Sequence, residues 1–379
     1  MPVATRLLGG LTARAFLARY WQKRPLLVRC AWPDFRDPVS VSDLFGLAAR
    51  DDCESRLVER AGARWRLRYG PLPRGERRRL SDARWTLLVQ GLNHFVPAAD
   101  RMLRAFAFVP YARLDDVMAS YAARHGGVGA HVDSYDVFLL QGAGRRRWRI
   151  ASGGDRALDP RAPMKVLKNF RAETEWVLEP GDLLYLPPGI AHEGTALDPC
   201  FTYSIGFRAP SARELGTGFL AFLQDRLALP ETLYADPDLV TARAPARIDD
   251  AMLKRAVRML AAVRWSPGDL AEFLGCHLSE PKQHVIFAPP SRPLARVGFA
   301  HACKRGGVAL APATGMLHRG ERVFVNGEGH AARGRTRLDL ARLADRRELA
   351  PGKSFTRAAL ELLYTWYRAG YLQPGGRHG

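Results

Sequence analysis

Residues 131–150 read HVDSYDVFLLQGAGRRRWRI, and this stretch decides the fold. It predicts two strands joined by a glycine turn: His131 to Gln141, Gly142-Ala143-Gly144, then Arg145 to Ile150. Side chains alternate faces along a strand, so His131, Asp133 and Tyr135 share one face, with Val137 and Leu139 behind them. A histidine and a carboxylate two apart on one face can reach a single cation. They are two thirds of a 2-His-1-carboxylate facial triad, which leaves positions on iron(II) open for oxygen and a cosubstrate. A His-x-Asp pair also occurs by chance on a half-exposed strand, so the assignment rests on what surrounds it.

Three surrounding features point the same way. The second strand places Arg146, Trp148 and Ile150 on one face and Arg145, Arg147 and Arg149 on the other. An arginine on an apolar face needs an anion, and a dicarboxylate would bind it through a bidentate contact. Downstream, residues 179–192 read EPGDLLYLPPGIAH: a turn, a short buried strand, a rigid Pro-Pro-Gly corner and His192 as the third ligand. Upstream, Gly126-Gly127-Val128-Gly129 lets the backbone pass close to a site.

Together, the HxD pair, an arginine fifteen residues on and a histidine sixty-one residues on form a specific pattern. It resembles the JmjC/cupin 2-oxoglutarate oxygenases. Within them it is most similar to the bacterial ribosomal oxygenases, arginine 3-hydroxylases of the large-subunit ribosomal protein numbered sixteen. The blocks GVGAHVDSYDVFLLQGAGRRRWRI, EPGDLLYLPPGIAHEG and YSIGFRAP (Tyr203 to Pro210) carry the resemblance, which extends over the whole chain. It implies an α+β protein with a JmjC-type double-stranded β-helix (cupin barrel) over residues 1–210. A helical dimerisation region over 211–280 and a winged-helix-like C-terminal domain over 281–379 would follow.

The resemblance also implies site roles. His131, Asp133 and His192 would hold Fe(II) and carry catalysis. Arg146 and Ser120 would bind the 2-oxoglutarate cosubstrate. Asp116, Met118 and Tyr135 would line the substrate pocket, Asp116 meeting a guanidinium. Read as a strand, Leu114 to Ala122 places Asp116, Met118, Ser120 and Ala122 on one face. The chain departs from the family just after it, where Ala122-Ala123-Arg124-His125 replaces a serine and a proline, removing one hydroxyl contact to the cosubstrate.

Composition bounds the rest. With 379 residues, 47% of them hydrophobic, the chain can build two or three domains with a sizeable core. No apolar run approaches the length of a membrane span. The N-terminal MPVATRLLGGLTARAFLARYW lacks the apolar core of a cleavable leader and reads as folded. Five scattered cysteines without a CxxC argue for reduced thiols in a cytoplasmic protein, against a disulfide framework and against structural zinc. The net charge of +19 is almost all arginine. That fits either a GC-rich genome or a surface drawn to an RNA-bound partner, here ribosomal RNA near the ribosomal protein substrate.

Along the chain, helices are expected over Leu11–Tyr20, Val41–Ala49 (Ser40 and Asp43 forming a capping box) and Val96–Phe106. Strands are expected within Leu57–Tyr69, over Trp85–Gln90 and over Cys200–Arg208. The helical segment includes a helix capped by Ser266 with Pro267 at its first position, and would make a homodimer. Beyond it lie strands at Val308–Ala311 and Met316–Asn326, and helices at Leu338–Leu343 and Phe355–Tyr371. Two rival functions stay open at this point. One is a JmjC enzyme hydroxylating histidine or asparagine, or demethylating lysine, on another protein. The other is a cupin without catalysis that binds nucleic acid through its basic C-terminal part.

Overall fold

The computed structural model describes residues 3–62, 64–227, 231–261 and 263–375, so residues 228–230 and 262 of the expected helical segment lie outside the described residues. Twelve strands form the N-terminal part. They are β1 (Leu26–Val28), β2 (Ser55–Ala61), β3 (Arg64–Tyr69), β4 (Trp85–Val89), β5 (Leu114–Ala122), β6 (His131–Val132), β7 (Val137–Gln141), β8 (Arg146–Ala151), β9 (Thr174–Leu178), β10 (Leu183–Leu186), β11 (Ala191–Ala196) and β12 (Cys200–Phe207). Eight of them pair in the order β1-β10-β7-β12-β5-β4-β2-β3, and four pair as β6-β11-β8-β9.

The alternation of side chains builds two cores. Phe138 and Leu140 of β7, Leu183 and Tyr185 of β10, and Tyr203 and Ile205 of β12 point to one face of the large sheet, where they pack with Phe16, Leu44 and Phe106 from the helices outside it. Val137, Leu139, Leu184 and Leu186 point to the other face and meet Trp148 and Ile150 of the small sheet. The two sheets thus face one another across a thin apolar layer, as a double-stranded β-helix does. Because β7 and β10 are covered on both faces, they read as unbroken hydrophobic runs rather than alternating ones.

The expected single strand His131 to Gln141 is instead two strands in different sheets. β6 pairs with β11 in the small sheet, β7 pairs with β10 and β12 in the large one, and residues 133–136 bend between them. Asp136 anchors the bend. It is fully buried and accepts hydrogen bonds from the Tyr185 hydroxyl (2.5 Å) and Gln22 Nε2 (3.0 Å), while the Asp133 carbonyl accepts from the Gly189 N–H (2.9 Å). Satisfying a buried carboxylate with groups from distant segments outweighs local strand pairing. The glycines upstream allow a close approach: a Cβ on Gly127 would lie 2.4 Å from the Gly194 carbonyl oxygen on β11. Gly144 turns the β7–β8 connection at φ +74°, in the left-handed region that favours glycine.

The C-terminal half adds β13 (Val308–Leu310), β14 (Met316–Arg319), β15 (Arg322–Val325), β16 (Glu328–Ala331), β17 (Glu348–Leu349) and β18 (Leu372–Pro374). Contacts within the chain group the described residues into two compact units: those within 3–209, 281–314 and 334–375 in one, those within 210–280 and 315–333 in the other. This grouping differs from the three consecutive segments read from the sequence, because the β14-β15-β16 hairpin joins the helices rather than its sequence neighbours. In the second unit the Glu272 carboxylate on helix Pro267–Ser279 takes both Arg322 nitrogens of β15, and Phe273 packs on Phe219 and Phe222 of helix Ala212–Gln224. That Pro267 helix begins with the expected Ser266 cap, completed by Asp269 into a capping box. In the first unit, helices Arg296–Gly306, Gly334–Arg346 and Arg357–Arg368 bury Phe299, Leu340, Leu343, Leu363 and Trp366 beside the β17-β13-β18 sheet. The helix expected at Leu338–Leu343 is a turn longer at each end, and that expected from Phe355 starts at Arg357 behind a Thr356 cap. All five cysteines are free thiols.

Candidate active site

One cavity of about 480 Å³ opens between the two barrel sheets, and it brings together every residue singled out in the sequence: His131, Asp133, His192, Ser120, Arg146, Asp116, Met118 and Tyr135. Its two ends differ in chemistry.

At one end, β6 and β11 pair with His131 directly opposite His192, ring centroids 4.3 Å apart. Asp133 follows in the bend, its carboxylate 3.9 Å from His131 Nε2 and 3.6 Å from His192 Nε2. One ligand atom from each of the three lies within 4.8 Å of the others. Each imidazole Nδ1 sits 3.0 Å from a backbone carbonyl, Gly129 for His131 and Ile190 for His192. A carbonyl oxygen can only accept, so Nδ1 carries the proton and the Nε2 lone pair of each ring faces the common point, the tautomer a metal requires. Burial, helped by the neighbouring His131, pushes His192 down to about 3, so it stays neutral. Burial pushes Asp133 upward against His131, Arg56 and the Tyr135 hydroxyl. Two imidazoles and one carboxylate suit a divalent first-row metal with open positions.

Deeper in the cavity, Arg146 is 5% exposed. Its Nη1 donates to Ser120 Oγ (3.3 Å), while Nε and Nη2 find no hydrogen-bond partner among the described residues. A buried guanidinium without a carboxylate is unfavourable by several kcal/mol or more until an anion arrives. A second unpartnered donor lines the same space: the Thr86 hydroxyl on β4, buried, in register with Ala122 of β5. Ala122 itself is buried with Ala196 and Cys200 and does not reach the cavity. Thr86 therefore offers a hydroxyl beside the position where the sequence lacks one. Nothing in WTLLV marked it, since a threonine in a strand is ordinary; register alone reveals it.

At the other end lie Asp116 and Met118, joined by residues the sequence reading missed: Gln90, Asp115, Ser204 and Arg56; Tyr135 stands between the two ends, its hydroxyl against Asp133. Ser204 sits opposite Met118 across the β5–β12 pair, and alternation along YSIGFRAP could have placed it. Asp116 is 3% exposed and accepts from Gln90 Nε2 (3.0 and 3.2 Å) and the Gly91 N–H (3.0 Å). Tyr135 lies at the rim of the cavity, 40% exposed.

The fold and the triad define a JmjC-type oxygenase barrel. Residues 101–215 match the family model of the JmjC domain, and residues 262–373 match that of the ROXA-like winged helix. The chain is 36% identical over 315 residues to the ribosomal protein uL16 3-hydroxylase of Escherichia coli, covering 83% of this chain and 84% of that one. It also superimposes on the crystal structure of E. coli ycfD with a TM-score of 0.85 at 33% identity, covering 96% of this chain and 98% of that one. A further structure of E. coli YcfD, described as a ribosomal oxygenase in complex with cobalt and 2-oxoglutarate, matches with a TM-score of 0.82 at 33% identity over 96% and 98% of the two chains. The chain belongs to this family of JmjC ribosomal oxygenases with a ROXA-like winged helix. Among the described residues, no helix is long and apolar enough to cross a membrane.

Proposed function

We propose that this protein is an iron(II)- and 2-oxoglutarate-dependent oxygenase that hydroxylates the β-carbon of an arginine in a large-subunit ribosomal protein. The observation that carries the reading is a buried Arg146, whose Nε and Nη2 have no hydrogen-bond partner among the described residues, in the same cavity as a two-histidine, one-carboxylate cluster. The names of the matched relatives, a ribosomal protein hydroxylase and a 2-oxoglutarate complex, support it.

His131, Asp133 and His192 would hold the metal, each imidazole fixed by its backbone carbonyl. Arg146, with Ser120 and Thr86, would take the far carboxylate of 2-oxoglutarate, answering the unmet donors there. When bound, iron and 2-oxoglutarate supply the oxidising chemistry: oxygen and 2-oxoglutarate are consumed, succinate and carbon dioxide leave, and one oxygen atom enters a substrate C–H bond. The chain's own part is binding, aim and exclusion of water. Trp148, Ile150, Val137 and Leu139 keep the deep end apolar. Asp116 would receive the substrate guanidinium, with Met118 and Tyr135 beside its methylenes.

Helix Asp250–Leu260 buries none of its residues, and Leu253, Val257 and Leu260 are all more than half exposed, which supports a homodimer through residues 211–280. Leu253→Glu with Val257→Glu would then yield a monomer by light scattering. The basic surface suits work near ribosomal RNA in the cytoplasm.

The decisive experiment follows succinate release by anaerobically purified protein supplied with iron(II), 2-oxoglutarate and oxygen, with and without an arginine peptide from the ribosomal protein. Peptide-stimulated succinate and a gain of one oxygen atom on arginine are expected. Modification of histidine, or loss of a methyl group from lysine, would move the protein to the rival JmjC activities.

A further inference from the structure

Residues next to each other on a strand point to opposite faces, yet both Asp115 and Asp116 line the cavity. The cause lies opposite them. The β5–β12 register shifts between Ile205 and Phe207, so that two residues of β5, Asp115 and Asp116, stand opposite the single Gly206 in a bulge that bends the pair. A Cβ on Gly206 would still lie 3.8 Å from Asp116 Oδ1, so the bulge leaves space around that oxygen. Two carboxylates thus converge on one partly buried place, and a single cation joins them. Lys282 Nζ lies 3.0 Å from Asp115 Oδ2 and 3.4 Å from Asp116 Oδ2. The other partners of Asp116, Gln90 and Gly91, are neutral.

We propose that Lys282 is a positioning residue for the substrate: by bridging Asp115 and Asp116 it holds Asp116 as an aimed anion, ready for a guanidinium. The assignment rests on the reading of Asp116 as the partner of a substrate arginine. Lys282 and the Gly91 N–H are both on Oδ2, whereas Oδ1 meets Gln90 at 3.2 Å and faces the space left by Gly206. The arriving guanidinium can therefore approach Oδ1 without displacing the lysine.

The charge balance explains why a cation is needed. Burial pushes the Asp116 carboxyl up and Asp115 pushes it further, with Lys282 pulling it back. Burial works against the lysine's own charge, but the two carboxylates outweigh it and hold Lys282 above its ordinary value. The other charged or titratable groups around the pair are Arg208, 3.5 Å from Asp115; Arg56, whose Nη2 is 3.9 Å from Met118 Sδ; Tyr135; His284; and His94. Burial, with His284 and Lys282, pushes His94 down to about 4, so it is neutral in the range that matters. Remove Lys282, and the acid pair is left to bind a proton, turning the guanidinium's partner into a neutral acid. A carboxyl whose pKa is raised is protonated below that pKa, so the defect deepens as pH falls and fades as pH rises.

The test compares wild type, Lys282→Met and Lys282→Arg on the full chain, with thermal melts confirming that each variant folds. For Lys282→Met, KM for the arginine peptide should rise relative to wild type, and the rise should be severalfold larger at the low end of the enzyme's working pH range than at the high end, because protonation of the raised carboxyl deepens as pH falls. kcat should be unchanged, and Lys282→Arg should restore KM. Calorimetry of peptide binding in two buffers of different ionisation enthalpy should find close to one extra proton released by Lys282→Met at the lower pH. A KM that stays the same, falls, or rises equally at both pH values would overturn the assignment while leaving the hydroxylase reading intact. A wild type that neither binds nor modifies the arginine peptide would overturn that reading, and the assignment with it.

Discussion

The end of the cavity at the histidine pair and the end at Asp116, proposed to take the metal and the substrate, are built by different means. The metal end is assembled from adjacent strands: His131 and His192 face each other across one antiparallel pair, Ile150 is the next partner of His192, and Arg146 stands on that same β8 strand. Register places the two histidines and Arg146, while Asp133 comes from the bend that follows β6. The substrate end draws on β5, β12, the Gln90–Gly91 turn, the 133–136 bend and, from far along the chain, Lys282. A site held by register tolerates little change in what it binds, because a one-residue slip would turn both histidines to the wrong face. A site gathered from separate segments can alter its substrate one segment at a time.

Substitutions at each end test that contrast. The largest effect should come from Asp133→Ala, which removes the only charged ligand: succinate production should fall to background, and metal titration should find the site lost. Arg146→Met should come next and act in two directions. Affinity for 2-oxoglutarate should weaken by about 2–5 kcal/mol by calorimetry. The ligand-free protein should become more stable by about 1–4 kcal/mol in urea, because an unpaired buried charge is gone. A ligand-free protein destabilised by that change would mean that Arg146 has a structural partner. Asp116→Asn should leave metal and 2-oxoglutarate affinity unchanged while raising KM for the peptide by about tenfold or more, the loss of a charge-assisted hydrogen bond worth about 1.5–3 kcal/mol. If it weakens metal binding instead, the two ends are not independent. The smallest effect should be that of Thr86→Val, which should weaken 2-oxoglutarate binding by about 1 kcal/mol, the net worth of one neutral hydrogen bond, with Thr86→Ser close to wild type.

The same contrast explains what could be read from the sequence. The faces carrying Arg146 and Trp148, and Asp116, Met118 and Ser120 follow from period-two alternation, a local property, whereas Asp133 reaches the histidines from a bend and not along a continuous strand. His192 stands on a strand of its own, and the reading reached it through the pattern around the Pro-Pro-Gly corner. The break at residues 133–136 was hidden because it depends on Tyr185 and Gln22 meeting a buried Asp136. Thr86 was hidden because its meaning lies in standing opposite Ala122. The regrouping of residues 315–333 with the helices turns on pairs such as Glu272 with Arg322, fifty residues apart, which no local pattern announces.

The unmet donors of Arg146 have one more consequence. A guanidinium recognises a carboxylate, and nothing around Nε and Nη2 can sense whether a keto group sits at the other end of the molecule. On the proposed reading, selectivity for the keto acid would therefore come from the metal. Stripped of metal, the protein becomes a general receptor for short dicarboxylates and should hold succinate about as well as 2-oxoglutarate. Loaded with metal, it becomes a receptor for one of them. The ratio of 2-oxoglutarate to succinate would then govern which dicarboxylate occupies the metal-free protein, and added iron(II) would shift that occupancy toward 2-oxoglutarate.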